Sequence, residues 1–411
     1  MADTPKIRFK GFTDDWEWRK LSKLGTLKNG MNFSKDAMGK GYPFVNLQNI
    51  FGRNVIDIDN LGKAEASQQQ LKEYSLREGD VLFVRSSVKL EGVGVAALVP
   101  RTLENTTYSG FVIRFRNEYS MDNDFKRFVF SIKSVRDRIM SQATNSANKN
   151  ISQTILGNLD IPLPKIGEQK KIGSYFSNLD HLITFHQRKC DTAKVLKKYM
   201  LPKMFPQNGE KVPEIRFAGF TDDWEQFKFS EFVKNVAKKN KYNLNLEPYA
   251  VTNDRGFIAQ KDAHDDFGYM KDTDRKAYNI VPPNSFAYNP ARINVGSLGY
   301  YTGAENVIVS SLYEVFQTED YIDDRFLWHW LKSDYFLKWI EKLQEGSVRL
   351  YFYFDKLVQC QIMIPLLEEQ KQISIYLDNL DHLITLHQRK CDELKEVKRF
   401  MLQNMFPQKG Q

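Results

Sequence analysis

Few residues in this chain have the type and spacing to do chemistry, and each such set has a plainer reading. Gly92-Val-Gly-Val-Ala-Ala97 fits a loose G-x-G-x-x-A cofactor pattern. That fingerprint must open a helix, whose N-terminus then meets a phosphate. Here Val95-Ala-Ala-Leu-Val99 is spaced as a strand instead. Asn289-Pro-Ala-Arg292 shares two residues with the N-P-P-aromatic signature of amino-methyltransferases but lacks the second proline and the aromatic. It reads as a turn carrying a basic residue. No G-x-x-x-x-G-K-[ST] loop occurs. His181 and His186 recur as His382 and His387, five residues apart, so they do not share a helix face as metal ligands at i and i+4 would. Cys190, Cys360 and Cys391 are too few and too scattered for a disulfide framework or a zinc site. The expectation is a chain with no catalytic residues, metal or cofactor of its own.

The chain has 411 residues, which suggests two or more domains. With 42% hydrophobic and 13% aromatic residues it can bury real cores. Lys plus Arg number 59 against 51 Asp plus Glu, a net charge of +8, and that balance suits a polyanion such as nucleic acid. Sparse cysteine suits a reducing cytoplasm. No apolar leader follows Met1, and no window of about 18 uncharged apolar residues would span a membrane.

The stronger signal is that the chain repeats itself. Pro5 to Glu17 (PKIRFKGFTDDWE) matches Pro213 to Glu225 (PEIRFAGFTDDWE) at eleven of thirteen positions. Glu168 to Asp191 (EQKKIGSYFSNLDHLITFHQRKCD) matches Glu369 to Asp392 (EQKQISIYLDNLDHLITLHQRKCD) at eighteen of twenty-four. Each half then reads Met-Phe-Pro-Gln, at Met204–Gln207 and Met405–Gln408. Residues 18–160 and 226–362, which lie between these markers, barely resemble each other. Drift alone would blur frame and insert alike. A fixed frame with two dissimilar inserts suggests one scaffold presenting two different readers.

The second frame segment is spaced as a long heptad helix. In the first copy the stripe is Ile172, Tyr175, Leu179, Leu182, His186, Ala193, Leu196 and Met200, with Lys189 filling the skipped place and Cys190 beside it. In the second copy it is Ile373, Tyr376, Leu380, Leu383, His387, Leu394, Val397 and Met401. Pro202 should end the first helix near Leu201, while the second can run to about Phe406. Rods of this length span about 50–57 Å. One helix cannot bury its own stripe, so the obvious partner is the other copy, packed antiparallel across a pseudo-two-fold.

The inserts read as strand-rich. Pro43–Ile50, Asp80–Val84, Val93–Val99 and Gly110–Phe115 are strand-like in the first, followed by a helix over Asp124–Met140. Ser285–Asn289, Val307–Val309 and Leu312–Phe316 are strand-like in the second, followed by a helix over Asp324–Leu343. Each insert leaves through a proline-marked strand, Ile161–Pro164 or Ile364–Pro365.

Two variable inserts, each passing through an I-P-L-P-like strand into E-Q-x-x-I and a near-identical helix, resemble the specificity subunits of type I restriction–modification enzymes. The resemblance covers essentially the whole chain. It implies an α+β fold: two mixed, strand-rich target recognition domains separated by two long antiparallel coiled-coil helices, with a pseudo-two-fold internal repeat. The expected divisions are 1–165 (first recognition domain), 166–206 (central spacer helix), 207–212 (linker), 213–366 (second recognition domain) and 367–411 (second spacer helix). It further implies a non-catalytic subunit whose partners are double-stranded DNA, two methyltransferase subunits and nuclease–translocase subunits. S-adenosylmethionine, ATP and Mg would be bound by those partners. A coiled-coil adaptor that binds only proteins is the rival class.

Base edges are read by Arg, Lys, Asn, Gln, Ser and Thr, and phosphates take basic, amide and hydroxyl groups. The first insert gathers these types at Asn46, Gln48 and Asn49, at Arg85, Ser86, Ser87 and Lys89, and at Asn145, Ser146, Asn148 and Lys149. The second has Thr252, Asn253 and Arg255, then Asn289, Arg292 and Asn294, then Arg349, Tyr351 and Tyr353. Counted back from the two exit strands, Ser146 aligns with Arg349 and Asn148 with Tyr351. Matching positions with different side chains suit two readers of different half-sites.

Overall fold

The computed structural model describes residues 4–144, 147–207, 209–252, 256–263, 275–346 and 350–407. The chain divides into two compact units, Met1–Gln187 with Gln388–Gln411, and Arg188–His387.

In the first unit a four-stranded antiparallel sheet has the order Gly25–Asn29, Val112–Asn117, Val81–Val84, Ala96–Leu98. Successive side chains of a strand point to opposite faces. Val81 and Phe83 therefore join the large core beneath helices Asn123–Val129 and Lys133–Gln142, while Leu82 and Val84 join a second core with Val45, Ile50 and Tyr108. Burial on both faces explains why residues 81–84 read as an unbroken apolar run. The second unit repeats the arrangement in the order Val233–Asn235, Glu314–Thr318, Ser285–Tyr288, Leu298–Tyr301. Phe286 and Tyr288 face one core and Ala287 the other. Dissimilar inserts thus share a sheet topology.

Several sequence expectations change. Met38–Val45 is the strand, and Leu47–Asn49 turns as a short 3-10 helix capped by Asn46. The helix expected over 124–140 is two, and so is that over 324–343, now Asp324–Leu331 and Asp334–Leu343. A serine breaks each. Ser131 donates both its amide and its hydroxyl to the Phe128 carbonyl, and Ser333 does the same to Trp330. The long helices run Ile166–Lys203 and Leu367–Asn404, 38 residues each, about 57 Å of rise. Pro202 sits in the last turn of the first and does not end it at Leu201. The shared end follows from the frame: Ile215 donates its amide to the Lys203 carbonyl and Ile7 to that of Asn404, both at 2.9 Å.

Each unit pairs part of one long helix with part of the other. In the first, Asp180 meets Lys398, the Ile183 carbonyl lies 3.9 Å from Cys391 Sγ, and Phe176 stacks on Phe406. In the second, Asp381 meets Lys197 at 2.6 Å, and the Ile384 carbonyl lies 3.7 Å from Cys190 Sγ. Residue numbers rise along one helix as they fall along the other, so the packing is antiparallel. The seam keeps Ile172, Leu179, Ile373 and Leu380 of the expected stripe and shifts elsewhere. It runs through Ile172, Phe176, Leu179, Ile183 and Cys190, and through Ile373, Leu377, Leu380, Ile384 and Cys391. Leu182 is 42% exposed, and Leu383 and Leu196 also face solvent. Tyr175 and Tyr376 are half-buried against Phe9 and Phe217, each at 6.0 Å. His186, His387 and Leu394 are half-buried, and Lys189 is exposed where Cys190 is buried. Tyr175-Phe176 and Leu182-Ile183 offer apolar residues to two adjacent registers, so spacing alone could not choose between them.

The frame repeats are structural clamps. Arg8 Nε donates to buried Glu168 at 2.7 Å, and Arg216 to buried Glu369 at 2.7 Å. Gln169 accepts from the Asp122 amide and donates to the Pro164 carbonyl, and Gln370 does the same with Asp323 and Pro365. Glu17–Lys20 pairs with Asp160–Leu163, and Glu225–Lys228 with Gln361–Ile364. Each insert is a closed excursion whose two ends are zipped together.

Candidate nucleic-acid interface

In the first unit two clusters distant in sequence pair, and Leu47, from the segment that carries the third, lines the same cavity. Arg85 follows strand Val81–Val84 directly. Its amide donates to the Phe111 carbonyl at 2.8 Å, and its Nη1 to that of Gly110 at 3.2 Å. Ser86–Ser87 pairs antiparallel with Lys149–Asn150, and the Ile151 amide donates to the Arg85 carbonyl. This ribbon holds the 85–89 cluster beside Asn148 and Lys149. The 46–49 cluster arrives through the 3-10 turn, where Asn46 Oδ1 accepts from the Gln48 amide at 3.0 Å. A cavity of about 640 Å³ is lined by Leu47, Ser86, Ser87, Lys89 and Asn148, among others. Gln48 and Lys89 are exposed, and Lys89 is on its wall. Asn49 departs from expectation. It is 1% exposed, donates to the carbonyls of Asp57 and Asn60, and accepts from the Asn46 amide. Those bonds use both ends of its amide, and the side chain is buried, so it shapes the turn and is closed to a base. Asn145 and Ser146 lie outside the described residues.

In the second unit Asn289 follows Ser285–Tyr288 as Arg85 follows its strand. Asn289 Oδ1 accepts from the Ala291 amide at 3.0 Å, and its carbonyl from that of Arg292. The tight turn leaves the Arg292 side chain exposed. The Phe352 amide donates to the Pro290 carbonyl at 3.0 Å, as Ile151 does to Arg85. Tyr351 and Tyr353 stack beside it, ring centroids 5.4 Å apart and planes 3° apart. A cavity of about 770 Å³ is lined by Asn289, Arg292, Tyr351, Tyr353, Asn235, Lys239, Ser311 and Leu312, among others. Glu314 is also on its wall, and burial lifts its carboxyl above the usual range. Asn294 is exposed on the turn Ile293–Val295, and Thr252 ends strand Tyr249–Thr252; neither lines the cavity. Asn253, Arg255 and Arg349 lie outside the described residues.

Sequence reasoning missed Lys239 and Asn235 here. The basic run Lys238-Lys239-Asn240-Lys241 was the available signal for the first. It also missed Phe111 and Leu312, single apolar residues that no polar cluster would mark.

Among the described residues, His329, Asp378 and Asp381 are the one group of ligand-type side chains close enough to share a metal ion. Both carboxylates already face cations. Arg325 Nε lies 2.9 Å from Asp378, and Lys197 Nζ 2.6 Å from Asp381. The buried His329 Nε2 meets Asp378 at 2.9 Å. The network is balanced in charge as it stands.

Comparison with known proteins agrees with this architecture. The family described as the type I restriction modification DNA specificity domain matches twice, over residues 13–194 and 221–396. A protein of Methanocaldococcus jannaschii, provisionally named the specificity subunit of type I restriction enzyme MjaX, is 24% identical over 413 residues, covering 94% of this chain and 91% of the relative. The EcoKI specificity subunit of Escherichia coli K12 is 29% identical over 153 residues, 37% of this chain and 33% of the relative. The crystal structure of the type I restriction–modification S subunit from M. genitalium superposes with a TM-score of 0.62 over 99% of this chain and 100% of that one, at 14% identity, which speaks to the fold. No helix among the described residues is long and apolar enough to cross a membrane. With both halves matched to one domain and both built on the same clamped frame, the chain belongs to the type I restriction–modification DNA specificity family.

Proposed function

We propose that each insert of this specificity subunit reads one half of a split double-stranded DNA site, while the long helices set the gap between the halves. The carrying observation is the meeting of polar clusters at equivalent places with different side chains. Ser86, Ser87, Lys89 and Asn148 surround one cavity, and Asn289, Arg292, Tyr351 and Tyr353 the other. Serine, asparagine and arginine are base- and phosphate-reading types, and tyrosine offers a stacking face.

The frame would dock two methyltransferase subunits. Asn178, His181, Leu182, Arg188 and Lys189 are exposed, and each is identical in the other copy, at Asn379, His382, Leu383, Arg389 and Lys390, also exposed. Exposed positions carry little packing constraint. Keeping them the same in both frames suits two copies of one partner. S-adenosylmethionine, ATP and Mg would be held by methyltransferase and nuclease–translocase subunits, and this chain would contribute the address.

The test is salt-dependent binding by the chain in complex with its methyltransferase, with the methylated genomic sites mapped in parallel. A bipartite site and an affinity that falls steeply with salt are expected. Arg292→Ala should alter recognition of one half-site by about 1–3 kcal/mol. Binding only to proteins, with no salt-dependent DNA affinity, would favour an adaptor.

A further inference from the structure

The two inserts are dissimilar in sequence, yet they build the same exposed turn. In the first, the Val112 amide donates to the Ser109 carbonyl at 2.9 Å, and the Phe111 amide to Ser109 Oγ at 3.3 Å. In the second, the Tyr313 amide donates to the Ser310 carbonyl at 3.1 Å, and the Leu312 amide to Ser310 Oγ at 3.5 Å. Each turn leads into the same strand of its sheet, Val112–Asn117 or Glu314–Thr318. At the same place on each turn stands a large apolar side chain held out in solvent, Phe111 at 59% exposure and Leu312 at 70%. Each lines the cavity that also holds the polar clusters of its unit.

Exposing a large apolar side chain gives up burial that would stabilise the fold. The polar residues beside these turns differ between the units, as two sequence readers require. The apolar residue does not change character, so its role need not depend on sequence. Phenylalanine and leucine are among the residues that other DNA-binding proteins insert between base steps, unstacking them and kinking the duplex by roughly 20–90°. In the first unit the turn is braced for such a load, because Arg85 bonds both the Phe111 and the Gly110 carbonyls.

We propose that Phe111 and Leu312 are a matched pair of wedges, each inserted at a base step of its own half-site to unstack it. The proposal rests on the reading that both inserts bind DNA. A thymine-methyl contact would also bury an exposed apolar residue, but it would be specific to one base and to one reader.

The test uses the full chain in complex with its methyltransferase and a cognate duplex carrying 2-aminopurine at successive positions. Unstacking is read as a rise in 2-aminopurine fluorescence. One step in each half-site is expected to brighten on binding. Phe111→Ala should abolish the signal in the first half-site alone, and Leu312→Ala in the second alone, with the preferred bases unchanged. Phe111→Leu, which copies the second unit, should keep it. Specific binding with no brightened step in either half-site would overturn the wedges. So would a Phe111→Ala variant that changes the preferred base and leaves the signal intact. Loss of all sequence-specific binding by the unmodified complex would instead remove the DNA-reading assignment and the wedges with it.

Discussion

The Ile7 amide donates to the Asn404 carbonyl at 2.9 Å, joining the first frame segment to the end of the last helix. Ile215 makes the same bond to Lys203, where the chain is continuous. The contact that covalent connection supplies in one unit is therefore supplied without it in the other. Trp16 on Phe406 and Trp224 on Phe205 repeat the relation, at 5.8 and 6.3 Å.

A circular permutant follows. Joining Gln408 to Pro5 and opening the chain between Gln207 and Pro213 should give a folded protein with the same DNA site. Selection of bound duplexes checks it. A permutant that folds but selects another site would contradict the equivalence of the two joints.

Arg8→Ala leaves the buried Glu168 carboxylate without its cation. Removing one partner of a buried pair is strongly destabilising, so a loss of about 3 kcal/mol is expected. Arg216→Ala should cost about as much, since Glu369 is buried to the same degree. Urea unfolding of each variant measures this. A loss within the range of a surface ion pair, below about 1 kcal/mol, would show that the clamp does little.

His329 gives the second unit a pH dependence. Burial holds its imidazole below the usual range, although the bond to Asp378 acts the other way. The folded unit therefore holds His329 neutral to lower pH than the unfolded chain, which protonates as pH falls through about 6.5. The unfolded state then binds more protons, and stability falls with falling pH. Arg325, Lys197 and Asp381 surround the pair. The first unit has Phe128 at the matching position, packed on Phe176. His329→Phe should flatten the decline in the unfolding midpoint between about pH 7.5 and 5.5. A decline as steep as before would assign it to other groups.

The duplication, the long helices and the dissimilarity of the two inserts were legible in the sequence because each leaves a pattern along the chain. Identical frame residues proved to be clamps: Arg8 with Glu168, Gln169 with Pro164. The helix seam was legible in period but not in register, because Tyr175-Phe176 and Leu182-Ile183 satisfy both choices. The polar clusters were legible as composition. Asn49 could not be separated from Gln48 without the turn that buries one and exposes the other. Phe111 and Leu312 left no trace, since their meaning lies in exposure and in a shared turn, and the sequence states neither.

The central claim is that one duplicated frame carries two independent readers. Exchanging residues 18–160 for the corresponding insert of another family member, followed by mapping of methylated sites, tests it most directly. Glu17–Lys20 and Asp160–Leu163 close the insert at its ends, so the exchange should leave the frame and the second unit undisturbed. The account predicts one new half-site, the other half-site unchanged and the same gap. A change in both half-sites, from a complex that still methylates, would contradict it.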